Sequence, residues 1–92
     1  MIVRVLGEGQ YELADEDVER IESLDATLSQ ALTAGDEASF ARALETLVGE
    51  LRQRGRPLEP EKLVPSDLAI PPEGSTIAEV RALLDEDTPE KA

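Results

Sequence analysis

The sequence predicts an α+β fold: an N-terminal β-hairpin packed on an antiparallel helix pair, then a proline-rich segment and a short C-terminal helix. Three observations carry this reading. Two short apolar runs, at residues 2–6 and 10–13, flank Gly7-Glu8-Gly9. Two longer stretches then repeat apolar residues at three- and four-residue steps, the helical period. Five prolines fall between residues 56 and 74, just ahead of a Thr-Ile-Ala-Glu start signal at 76–79.

The first run, Ile-Val-Arg-Val-Leu, is β-branched and apolar apart from Arg4, and the second, Gln-Tyr-Glu-Leu, alternates with period two. A two-residue turn at Gly7-Glu8 would set Val3 against Glu12 and mix the two faces. A three-residue Gly7-Glu8-Gly9 loop sets Val3 against Leu13, Val5 against Tyr11, and Arg4 against Glu12 as an opposite-charge pair. Gly9 can adopt the left-handed backbone such loops require. The second register satisfies both faces and is the one expected. A lone hairpin is barely stable in water, so its Val3/Val5/Tyr11/Leu13 face must rest on another element.

The next segment supplies it. Asp15 is placed to N-cap a helix, with Glu16 and Asp17 in the dipole-favoured first turn. Val18, Ile21, Leu24, Leu28, Ala31 and Leu32 form its apolar stripe. Gly35 reads as the left-handed stop and Asp36 as the next cap. Phe40, Ala43, Leu44, Leu47, Val48 and Leu51 form the second stripe, ended by Gly55 and Pro57. So tight a connection makes the helices antiparallel neighbours. In the proline-rich segment, residues 60–63 can form one helical turn and Asp67-Leu-Ala-Ile70 a short third strand beside the hairpin. The capping box opens a helix whose apolar face is Ile77, Val80, Leu83 and Leu84. Residues 1–84 read as one domain and 85–92 as an acidic, frayed tail.

The chain has 92 residues and a formal net charge of −12. That balance repels nucleic-acid phosphates and anionic lipid headgroups, and points to a basic protein surface as partner. There is no cysteine and no histidine, which removes disulfides, thiolate chemistry, the usual general base and the commonest zinc ligand. No run is long enough for a membrane span, and Met1-Ile2-Val3-Arg4 does not open a signal peptide. A cytoplasmic location is expected.

Candidate chemistry is sparse. Asp15 with Asp17, and Asp85 with Asp87, are carboxylate pairs at a helix start and in a tail, where capping and solvation account for them. Neither begins a calcium loop, because the sixth-position glycine and twelfth-position glutamate are missing. Gly7-Glu8-Gly9 lacks the third glycine of a dinucleotide fingerprint, Glu12 standing in its place. Ser66-Asp67-Leu68 reverses the Asp-Ser-Leu order of acyl carrier proteins and is flanked by proline. No enzyme activity, cofactor or metal is therefore expected.

One set of segments is more specific than a hairpin and helices require. Met-Ile-Val-Arg-Val-Leu-Gly-Glu-Gly-Gln-Tyr opens the chain. Leu24-Asp25, Ala34-Gly35-Asp36-Glu37, Pro65-Ser-Asp-Leu-Ala-Ile-Pro71 and Glu79-Val-Arg-Ala-Leu-Leu84 follow in order. Together they resemble the PspA-associated protein (PspAA) family. The resemblance implies a non-enzymatic accessory of the bacterial phage-shock, or envelope-stress, system, an adaptor that binds or regulates a PspA-type coiled-coil protein. It implies contact with the membrane only through that partner, at its inner face, and no established catalytic or cofactor residue. The family pattern singles out Gly7, Gly9, Tyr11, Ser66, Asp67 and Pro71. The charge adds an acidic face on the second helix: Glu37, Glu45 and Glu50. Two other readings stay open, an acidic nucleic-acid mimic seated in a basic cleft and a small carrier or enzyme. A homodimer is compatible with the aliphatic stripes.

Overall fold

The computed structural model describes residues 1–59 and 64–86. Its elements are β1 (Ile2–Val5), β2 (Gly9–Glu12), α1 (Asp15–Ala34), α2 (Glu37–Arg54), β3 (Arg56–Pro57), β4 (Leu68–Ile70) and α3 (Ile77–Glu86). The strands form one sheet in the order β3-β2-β1-β4. The expected α+β architecture is present, with a larger sheet than the hairpin alone.

The hairpin register differs from the expected one by two residues. Val3 lies opposite Tyr11, Arg4 opposite Gln10 and Val5 opposite Gly9. A shift of two keeps every side chain on its own face, so the apolar set survives while the cross-strand partners change. The loop is Leu6-Gly7-Glu8: the Glu8 N–H donates to the Val5 carbonyl at 2.9 Å, and Gly7 sits at φ 81°. Gly9 at φ 143° opens β2 rather than closing the turn. Arg4 consequently does not face Glu12. That role passes to Arg56 of β3, a two-residue strand that pairs with Tyr11 and Glu12.

The third strand is real. β4 runs parallel to β1, with Val3, Arg4 and Val5 opposite Leu68, Ala69 and Ile70. The Leu6 N–H donates to the Ile70 carbonyl at 3.0 Å, and Asp67 closes the other end twice. Its N–H donates to the Ile2 carbonyl at 2.8 Å and its Oδ2 accepts from the Ile2 N–H at 2.9 Å.

α1 begins one residue earlier than expected. Its N-cap is Ala14, which has no side chain to cap with, and Asp15 is already helical. Asp15, Glu16 and Asp17 instead act through their charge on the first-turn amides. Gly35 at φ 72° ends the helix, and Asp36 caps α2 by accepting from the Ser39 N–H at 3.1 Å, both as expected. Ion pairs from Arg54 at the end of α2 to Asp17 at the start of α1, and from Arg20 to Glu50, confirm the antiparallel arrangement. Gly55 then admits close contact between layers: a Cβ there would lie 2.7 Å from the Leu51 carbonyl oxygen and 3.0 Å from the Tyr11 Cβ.

The inward sheet residues Val3, Val5, Leu13 and Ile70 join the two helical stripes and Ile77 and Val80 of α3 in one apolar core, in which Phe40 is the largest fully buried side chain. α3 opens on the reciprocal capping box, Thr76 N–H to Glu79 and Glu79 N–H to Thr76. Asp85 and Glu86 belong to it, while residues 87–92 lie outside the described residues. The expected turn at 60–63 and the side chains of Leu83 and Leu84 also lie outside what is described.

Candidate functional site

Of the six residues singled out in the sequence, five build the sheet. Gly7 and Gly9 shape the hairpin, and Asp67 ties β4 to β1. Ser66 Oγ accepts from Gln10 Nε2 at 2.7 Å, and the same amide donates to the Val64 carbonyl at 2.9 Å. Gln10 is buried on the sheet face away from the helices, where the 64–66 segment covers it. Its importance was invisible in the sequence, because a glutamine in an alternating strand reads as solvent-facing.

Tyr11 belongs to a surface network. Its hydroxyl donates to Glu8, which also receives a two-pronged bond from Arg52, Nη2 to Oε1 at 2.7 Å and Nε to Oε2 at 3.0 Å. Arg52 Nη1 donates to Glu73 at 2.9 Å. The hairpin turn, the end of α2 and the turn before α3 are thus joined through one guanidinium. The hydrogen bonds from Arg52 and then Tyr11 hold the Glu8 carboxyl at about 2, below the ordinary 4.5. A depressed carboxyl favours the folded state above its unfolded value and loses that contribution as pH falls. The network's contribution is therefore complete above about pH 4.5 and gone by about pH 2. Glu8→Gln is expected to flatten the fall in melting temperature across that window. An unchanged pH slope in the variant would assign the fall to other groups.

The three α2 glutamates do not share one free surface. Glu37 Oε2 accepts from the Ile77 N–H at 3.0 Å and anchors the start of α3. Glu50 is bonded to Arg20 and Arg54, which lower its pKa. Glu45 stands exposed between them.

Pro71 is the sixth singled-out residue, and it leads to the site. It lines a cleft of about 270 Å³ between α1, β4 and α3. Leu28 and Leu32 of α1, Phe40 of α2, Ile70 at the end of β4 and Val80 of α3 make its apolar wall. Asp25 and Ser29, one turn apart on α1, bring the polar side chains to it. Asp25 is partly buried, and burial pushes its carboxyl above the ordinary carboxylate value. Three of the family-like segments converge here: Leu24-Asp25, the Ala69-Ile70-Pro71 stretch and Val80 of the last helix. In the sequence Asp25 stands out only within the family-like Leu24-Asp25 pair, and the long-range β1–β4 pairing reveals what it adjoins.

Among the described residues, no three Asp or Glu side chains converge as a metal site, and no helix is long and apolar enough to cross a membrane. Fold and cleft together define a small α+β domain with an open apolar recess edged by a carboxylate. Residues 1–89 match the family described as PspA-Associated protein, and the chain belongs to that family. No match is found among curated proteins or among solved structures.

Proposed function

We propose that this protein is a non-enzymatic accessory that binds or regulates a PspA-type coiled-coil protein. The observation that carries this reading is the family match across nearly the whole chain, to a family described by its association with PspA. The physical chemistry agrees. A net charge of −12 favours a basic polypeptide over an anionic membrane or nucleic acid. Membrane contact is then indirect, through the partner, and the working location is the cytoplasmic side.

The test is co-purification of the full-length chain with its cognate PspA-type protein over a salt series. Recovery is expected at low salt and should decline as salt rises, because charge complementarity mainly speeds encounter. Absence of the partner at low salt overturns the reading.

A further inference from the structure

We propose that the cleft between α1, β4 and α3 receives a large apolar side chain of the PspA-type partner, while a neighbouring lysine or arginine of that partner pairs with Asp25. The inference rests on the preceding reading that such a partner is bound, and it names the surface and the chemistry of the contact.

The first observation is geometric. The recess is walled by aliphatic and aromatic carbon from four elements, and Leu32 and Pro71 are only partly covered. An apolar side chain entering it would bury that surface, the main source of affinity in a small contact.

The second observation is the condition of Asp25. The other partly buried acids among the described residues, Glu12, Asp17 and Glu50, are answered from within, as are several exposed ones. Glu8, Asp17 and Glu50 are paired with arginine. Asp36, Glu37 and Glu79 accept backbone N–H groups. Asp25 has neither kind of contact among the described residues, although burial strips part of its water. A desolvated carboxylate left without a partner costs stability, and departures of this kind concentrate at functional sites. Five of the chain's seven arginines are committed elsewhere: Arg20, Arg52, Arg54 and Arg56 to acids, and Arg81 to the Leu32 carbonyl at 3.0 Å.

Arg81 also sets direction. Leu32 is two turns along α1 from Asp25, about 10 Å at 1.5 Å per residue. One end of the recess is therefore negative and the other positive, which steers a partner cation to the Asp25 end. A second copy of this chain is a poor occupant, since two molecules each of charge −12 repel.

The experiment measures binding of the purified full-length chain to the purified full-length cognate PspA-type protein. Asp25→Asn is expected to weaken binding about tenfold and Asp25→Lys to abolish it. Ser29→Trp, at an exposed helical position on the recess, should block it as well. Glu16→Lys and Glu19→Lys, on the exposed face of α1, should change affinity less than about threefold. Asp25→Asn should melt no lower than the parent, which separates lost contact from lost fold. If the parent binds and the Asp25 and Ser29 variants bind equally well, the cleft assignment is overturned while the partner reading stands. If the parent does not bind, both fall together. A concentration-dependent homodimer abolished by Ser29→Trp would assign the cleft to self-association and also overturn the proposal.

Discussion

Phe40→Ala is expected to lower the free energy of unfolding by about 4 kcal/mol, measured by urea titration. Phe40 is the largest fully buried side chain and the only phenylalanine in the chain. Its ring sits where the α2 stripe meets α1, and it also forms part of the cleft wall. Leucines and valines on helices fixed by caps at both Gly35 and Asp36 have little freedom to close over the vacated volume, so the cavity cost adds to the lost transfer free energy. A chain of this length has a total stability on the order of 5–10 kcal/mol, so the variant should be marginal at 37 °C. Phe40→Leu, which keeps most of the volume, should retain well over half of the lost stability. A loss below about 1 kcal/mol for Phe40→Ala would mean that the core is loosely packed around this ring.

Gln10→Leu is expected to cost about 2 kcal/mol despite adding apolar surface at a buried position. The substitution leaves the Val64 carbonyl and the Ser66 hydroxyl without the amide that now satisfies them. Partly buried acceptors stripped of their donor carry a desolvation penalty in addition to the lost bond. The effect should be local as well as global. Hydrogen exchange should speed up at the Asp67 amide, which donates to Ile2, because the 64–67 segment would lose its anchor to the sheet. Stability equal to the parent would show that water replaces the glutamine. Gln10→Leu combined with Ser66→Ala should recover part of the loss seen for Gln10→Leu alone, since the double change removes the orphaned hydroxyl.

What the sequence disclosed follows from how local each signal is. The two helical stripes, the Gly35 stop, the Asp36 cap and the Thr76–Glu79 box depend on residues within one or two turns, and all appear as expected. The hairpin was legible as an element because alternation marks its faces. Its register was not, because a shift of two leaves every face intact and only the loop geometry at Leu6-Gly7-Glu8 decides it. Asp15 looked like a cap, but Ala14 takes the extended backbone of that position and the acids serve the first turn instead. β3 was missed because two residues after a helix carry no periodicity. The cleft was hidden for a different reason. Its walls come from α1, α2, β4 and α3, and β4 is brought to them by a strand pairing some 65 residues apart in the chain. Nothing local to Asp25 says that it will border an apolar recess.

The parallel pairing of β1 with β4 constrains how the molecule is made. β1 is an interior strand, yet one of its two neighbours lies at residues 68–70. During synthesis the helix pair can dock on a two-stranded ribbon early, from contacts close in the chain, but the last strand must await the emergence of the final third. Until then one flank of β1 offers open amides and carbonyls to any passing strand. Closing so large a loop is entropically slow compared with helix pairing. The nascent chain thus passes through a stage in which its central strand is half dressed, and the recess, which needs β4 for one wall, is the last feature to be assembled.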